Sequence, residues 1–234
     1  MTENARLLLI SNSTLYGSGY LDHAEAEIRG FLAGVRRVLF VPYALRQQDI
    51  YASKVAERFG GMGFQVHSVH CAPDPLAAVE NAQSIFIGGG NTFRLLKTLY
   101  DQNLLDPIRR RVEHGHLRYM GASAGANVAC PTIRTTNDMP IVEPTSLRAL
   151  ELVPFQINPH YFDPDPTSTL MAETREERLL QFLEENETPV VALREGAMLR
   201  VEHGRVTLKG VAGARIFRRG EPPGELSPGS QLQL

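Results

Sequence analysis

The sequence predicts an α/β fold: a largely parallel sheet with helices on both faces and a short β-rich edge near the C-terminus. Three observations carry this expectation. Unbroken apolar runs of four or five residues recur along the chain, the mark of strands buried on both faces. Between them lie segments whose apolar residues return every three or four positions, one face of a helix. After residue 197 the pattern shortens to brief strands around His203-Gly204, as in antiparallel pairing.

Taken in order, Leu7 to Ile10 is the first buried strand and stops at the polar run Ser11-Asn12-Ser13-Thr14. Leu21, Ala24, Ile28 and Phe31 follow at helical spacing. Val38 to Val41 is the second strand, ended by Pro42, which cannot continue a ladder. Tyr51, Val55 and Phe59 mark a helix closed by Gly60-Gly61, and Gln65 to His70 alternates like a strand. Asp74 caps a short helix leading into Ser84 to Ile87. Gly88-Gly89-Gly90-Asn91 closes that strand, and Thr92 is the expected cap of the helix through Tyr100. A helix over 106–114 precedes the strand Leu117 to Met120. Later come Phe155 to Ile157, a helix over 173–185 and the strand Pro189 to Leu193. Met198 to Glu202, Val206 to Lys209 and Ala214 to Arg218 make the C-terminal edge. Residues 1–220 are expected to form a single domain, and 221–234, rich in Pro, Gly and Ser, a flexible tail.

Composition narrows the function classes. Of 234 residues, 43% are apolar and 21% charged, which fits a globular chain able to bury a core. The net charge of -2 argues against a nucleic-acid or membrane-surface binder. Two cysteines, Cys71 and Cys130, offer no C-x-x-C pair, so neither a disulfide scaffold nor a Cys-rich zinc site is expected. No metal and no other cofactor is expected from the sequence. The first residues lack a signal-peptide layout and no apolar run reaches membrane-spanning length. The expectation is a soluble, cytoplasmic protein.

In open α/β sheets, chemistry gathers at the carboxyl ends of the strands. Gly121-Ala122-Ser123-Ala124-Gly125 matches G-x-S-x-G in its required context, after a strand and before small residues that can start a helix. Such a turn pushes the Ser123 hydroxyl out over the sheet edge. A hydroxyl needs a base, and His160 follows directly on the strand Phe155 to Ile157, at the same edge. Two carboxylates can orient it. Glu195 follows the strand Pro189 to Leu193 and is preferred, since three strand ends then converge; Asp138 has no strand in front to fix it. Backbone N–H groups of Gly89, Gly90 and Ala124 are candidates for an oxyanion site.

At these residues the chain resembles the peptidase E family, α-aspartyl dipeptidases of the serine type. The stretches that carry the likeness are Ser11 to Leu15, Ile87 to Phe93, Gly121 to Val142, Gln156 to His160 and Glu173 to Glu176. The resemblance implies a fold like class I glutamine amidotransferases (flavodoxin-like) and cleavage of Asp-X dipeptides without a metal. It assigns the nucleophile to Ser123, the histidine to His160 and the third member to Asp138 or Glu195. It also assigns aspartate recognition to Arg175 and suggests a homodimer. The substrate carries an ammonium and a side-chain carboxylate, so the pocket needs one fixed charge of each sign. Arg175 can grip the carboxylate bidentately, Arg134 is a second cation, and Asn91 and Asp138 complete the substrate-binding candidates, Asp138 holding the ammonium if Glu195 orients the histidine. The plainer alternative for Arg175 is an exposed helical arginine paired with Glu176 or Glu177. Two other functions stay open: a β-aspartyl or cyanophycin-type exopeptidase of the same fold, and a non-catalytic module binding a metabolite at Gly88 to Asn91.

Overall fold

The computed structural model describes residues 2–165, 167, 169 and 171–233. The first strand, β1 (Leu7–Ile10), is fully buried and leads through a 3-10 turn at Asp22–Ala24 into α1 (Glu25–Phe31). Then follow β2 (Arg37–Val41), α2 (Gln48–Gly61), β3 (Gln65–Ser68), α3 (Pro75–Asn81) and β4 (Ser84–Ile87). The expected strand to His70 ends earlier, because Val69–Cys71 turn into a 3-10 helix. After β4 come α4 (Thr92–Asp101), α5 (Leu105–Glu113), β5 (Arg118–Ala122) and the one-turn α6 (Ala124–Asn127). The cap of α4 is Asn91 rather than Thr92: its side chain accepts the Arg94 N–H.

The second half holds β6 (Gln156–Tyr161), α7 (Arg175–Glu185), β7 (Val190–Arg194), β8 (Ala197–Glu202), β9 (Arg205–Gly210), β10 (Ala214–Phe217) and β11 (Gly224–Leu226). Among the described residues the strands form two sheets. The central one has the order β3-β2-β4-β5-β1-β8-β9, parallel from β3 through β1, with β8 and β9 added antiparallel. Its successive side chains point to opposite faces. Leu7 and Leu9 pack with Leu95, Leu99 and Ile108 of α4 and α5, whereas Leu8 and Ile10 pack with Ile28, Phe31, Val55 and Phe59 of α1 and α2. An unbroken apolar run is therefore what a strand sandwiched between helices requires. The fold class is the expected one.

One feature differs from a single sheet. The strands bearing His160 and Glu195 leave the central sheet and pair with each other in a second, four-stranded sheet, β11-β10-β7-β6. A small core of Tyr161, Leu179, Leu183, Val190, Ala192 and Phe217 ties α7 to it. The flexible tail expected over 221–234 also needs correction. Residues 224–226 pair with β10, the Leu208 N–H donates to the Ser230 carbonyl (2.9 Å), and Leu232 is buried. Backbone pairing overrides the Pro/Gly/Ser composition there. Leu234, the last residue of that segment, lies with Met1 outside the described residues.

Candidate active site

The turn after β5 is built from close approaches. A Cβ on Gly121 would stand 2.3 Å from the Gly125 carbonyl oxygen, and one on Gly125 would stand 2.1 Å from that of Ile87. Only glycine lets the chain reverse this tightly against β4. Between them Ser123 takes φ 52°, ψ −108°, a left-handed conformation strained for a residue with a side chain, and its N–H donates to the Ile10 carbonyl (2.9 Å). The strain aims the hydroxyl away from the sheet.

His160 reaches that hydroxyl from the second sheet. The β6–β7 register breaks between Asn158 and Tyr161, where Pro159 has no N–H to give, and His160 bulges out with φ 53°. Its Nε2 lies 3.0 Å from Ser123 Oγ and its Nδ1 lies 2.8 Å from Glu195 Oε1. With Nδ1–H donated to the carboxylate, Nε2 keeps a lone pair facing the serine. Glu195 sits in the turn after β7, where Gly196 at φ 87° lets the chain reverse into β8.

Two residues of the loop after β1 hold this pair in place. Ser11 is fully buried; its hydroxyl accepts the His160 N–H (2.9 Å) and donates to the Leu193 carbonyl (2.9 Å). Asn12, also buried, accepts the Gly196 N–H at 2.8 Å. Sequence reasoning treated Ser11-Asn12-Ser13-Thr14 as a polar loop. The available signal was a run of hydrogen-bonding side chains at the carboxyl end of a central strand.

The glycine loop packs directly on Ser123. Gly88 and Asn91 donate their N–H groups to the carbonyls of Val41 and Ala44. A Cβ on Gly89 would lie 3.2 Å from Ser123 Cβ, and Gly90, at φ 134°, has Ala44 against it. Tyr51 backs the loop: burial pushes its hydroxyl pKa up, opposed by its hydrogen bond with Tyr20 (3.3 Å). Ala124 opens α6, where a first-turn N–H has no partner inside the helix.

The other predicted residues fall around a neighbouring cavity of about 320 Å³ lined by Arg134, Asp138, Asn158, Arg175 and Arg178 among others. Asp138 does not touch His160, whose Nδ1 faces Glu195. Its Oδ2 instead accepts from the Thr92 N–H (2.7 Å), the Thr92 hydroxyl (2.5 Å) and the Thr136 hydroxyl (3.2 Å). Asn91, expected at the substrate, has both ends of its amide engaged, Oδ1 by the Arg94 N–H and Nδ2 by the Met139 carbonyl. Both bonds hold the loop, and the second Nδ2–H takes no part in them. Arg175 is the first residue of α7, its guanidinium 5.3 Å from the centre of the Phe162 ring. Glu176 pairs with Arg215 and Glu177 closes a capping box with Thr174, so neither is Arg175's partner. Burial and the nearby Arg178 charge lower the Arg175 pKa, while the Asp138 charge opposes them. Arg134 is exposed on the rim. Asn137 and Asn158, which sequence reasoning passed over, join this wall to β6: Asn158 Nδ2 donates to Asn137 Oδ1 (2.7 Å), and Asn137 Nδ2 donates to the Pro159 carbonyl (2.7 Å).

In this arrangement a carboxylate can orient an imidazole that takes a proton from the serine and returns it during acyl transfer. The model of peptidase family S51 matches residues 7–209. The chain belongs to that family of serine peptidases, and so is a hydrolase. It is 56% identical to a peptidase E of Streptomyces coelicolor over 97% of this chain and 93% of that protein. It is 47% identical to a Drosophila melanogaster protein named "Probable alpha-aspartyl dipeptidase", over 99% and 98% of the two chains. A peptidase E of Salmonella paratyphi A is 46% identical over 97% and 99%. The solved structure of a peptidase from an acI-B1 Actinobacterium shares the fold, with TM-score 0.71 at 16% identity over 100% of this chain and 99% of that one.

Proposed function

We propose that this S51 peptidase hydrolyses dipeptides with N-terminal aspartate through an acyl-enzyme on Ser123. One observation carries the reading: the His160 imidazole bonds Ser123 with one nitrogen and Glu195 with the other. In this mechanism Nε2 takes the Ser123 proton as Oγ attacks the peptide carbonyl, then gives it to the leaving amine. Glu195 holds the tautomer and stabilises the imidazolium. Backbone N–H groups of Gly89, Gly90 and Ala124 stabilise the oxyanion, and water then releases aspartate from the ester.

The charged cavity beside the triad supports the preference for aspartate. Arg175, which makes no ion pair among the described residues, is assigned to the substrate side-chain carboxylate, with Arg134 at the rim. Asp138 keeps Oδ1 clear of the three donors that hold its other oxygen, and is assigned to the substrate ammonium. The whole chain acts as one catalytic domain in this reading, because both sheets contribute to the triad. The reading includes a cytoplasmic homodimer: both cysteines are free, and Met139, Ile141 and Phe162 expose apolar surface next to the site. Light scattering on the purified chain tests the dimer.

Steady-state kinetics on Asp-Leu, Glu-Leu, Asn-Leu and acetyl-Asp-Leu test the substrate. Asp-Leu is expected to be preferred by at least tenfold, with the acetylated form rejected. Equal rates across the four would remove the aspartyl assignment, and faster cleavage of β-linked Asp-Leu would move the chain to the β-aspartyl class. Labelling of Ser123 by a fluorophosphonate, lost in Ser123→Ala, separates an enzyme from a binding module.

A further inference from the structure

A second polar cluster lies at the carboxyl edge of the central sheet, on its outer strand and away from the triad. Asp49, in the first turn of α2, and His70 and Cys71, in the 3-10 turn after β3, each present one donor atom, and all three atoms lie within 4.8 Å of one another. Asp49 Oδ1 is 2.9 Å from His70 Nε2, and Cys71 Sγ is 3.4 Å from the same nitrogen. The other ring nitrogen, Nδ1, lies 2.6 Å from Ser68 Oγ.

Ser68 Oγ lies 2.6 Å from Nδ1 and 3.5 Å from the Phe40 carbonyl. In the tautomer with its hydrogen on Nδ1, that N–H is donated to Ser68 and the lone pair of Nε2 faces a carboxylate oxygen and a sulfur, the form a cation binds. In the other tautomer Nε2–H is donated to Asp49, and a cation takes the place of that proton. In the first form Ser68 plays the part that outer partners play for metal-bound histidines, fixing tautomer and ring orientation.

We propose that Asp49, His70 and Cys71 form a binding site for one divalent ion of borderline softness, of the Zn²⁺ class, with solvent at the fourth position. Imidazole, thiolate and carboxylate are that ion's preferred donors. Tetrahedral bonds of about 2.0 Å to nitrogen and oxygen and about 2.3 Å to sulfur set donor separations of roughly 3.3–3.5 Å, so the two separations to His70 Nε2 fit after shifts of a few tenths of an ångström, and the carboxylate and sulfur, within 4.8 Å of each other, close by no more than about 1.3 Å. Asp49 is almost fully exposed and can make that shift, while His70 is only 13% exposed and held from behind by Ser68. The ion would staple α2 to the β3 edge. Twenty-one residues separate Asp49 from His70 in the chain, and only the parallel pairing of β2 with β3 brings them together.

Titration of the intact, reduced protein with Co²⁺ and then Zn²⁺ tests the site. One equivalent of Co²⁺ is expected to give a thiolate-to-cobalt absorption band that one equivalent of Zn²⁺ abolishes. Cys130 cannot supply that thiolate, since complete burial pushes its thiol pKa far up. Cys71→Ser should remove the band, and Ser68→Ala should weaken Zn²⁺ binding about 10–100-fold. Neither should change peptidase turnover. The proposal is overturned by the absence of saturable one-to-one binding, as expected if Nε2–H simply donates to Asp49, or by a band that survives Cys71→Ser.

Discussion

The two sheets hold their side chains by different means. Around Ser123, β1 and β4 are buried at every position and helices cover both faces of the sheet. Around His160 and Glu195 one face of the sheet joins the main core through Ile157, Val191 and Leu193, the face toward α7 has a core of six buried side chains, and the strand ends are tied by charges. Arg194 pairs with Asp163 and Glu225, and Arg215 pairs with Glu176. Dry packing resists displacement, whereas partly exposed ion pairs contribute little each. The proposed nucleophile therefore rides on the rigid half, and the base and acid on the softer one. Their mutual geometry depends on what crosses between the halves: Ile157, Val191 and Leu193 share a core with Leu7 and Leu9, Asn127 Nδ2 donates to the Ile157 carbonyl (2.7 Å), and Ser11 and Asn12 accept the His160 and Gly196 N–H groups.

The sharpest test of this division is chemical. Glu195→Gln should lower kcat by about 10⁴-fold, the scale seen when a triad carboxylate loses its charge, with the melting temperature unchanged because the pair is half-exposed. Asp138→Asn should slow Asp-X turnover yet leave fluorophosphonate labelling of Ser123 intact. If instead Asp138→Asn stops labelling and Glu195→Gln does not, the softer sheet does not supply the acid. Gly89→Ala perturbs the rigid half. Its new methyl would press on Ser123 Cβ from 3.2 Å and shift the loop proposed to hold the oxyanion, so kcat should fall about 10²–10³-fold at nearly constant KM.

Ser11→Ala strikes the junction. It strips partners from the His160 N–H and the Leu193 carbonyl, in a buried site, which costs about 1–3 kcal/mol. Because His160 holds φ 53°, it should also relax, and a misplacement near 1 Å costs about 10² in kcat. Ser11→Thr, which restores the hydroxyl, should recover most of the turnover. Equal kcat in all three proteins would show that the second sheet needs no bridge.

The difference between the halves also explains what the sequence revealed. The central sheet was legible because strands buried on both faces must be unbroken apolar runs, and Ser123 because a tight strand-to-helix turn admits only small neighbours. His160 and Glu195 were legible as residues at strand ends. That their strands belong to a separate sheet was not, since Val190 to Leu193 is as apolar as any central strand and pairing partners leave no local trace. The partners of Asn91 and Asp138 were hidden for a related reason. The two side chains satisfy backbone and hydroxyl groups that only the folded loop brings near. The C-terminal segment was read from its composition, yet Glu225 within it holds Arg194, the residue before Glu195.

The smallest effect follows from that ionic frame. The Arg194 guanidinium beside Asp163 holds its carboxyl below the ordinary value. A depressed carboxylate stabilises the fold above its unfolded pKa, near 4, and loses that contribution as pH falls through the folded value. Asp163→Asn should therefore lower the melting temperature at pH 7. With Asp163 48% exposed, solvent screening limits the pair to about 1 kcal/mol, or about 2–4 °C for a chain of this size. The gap between variant and parent should narrow as the pH drops below 4 and at high salt, which calorimetry at several pH values can read. A gap that instead widens with acid would mean that Asp163 acts through packing, and that the second sheet is held like the first.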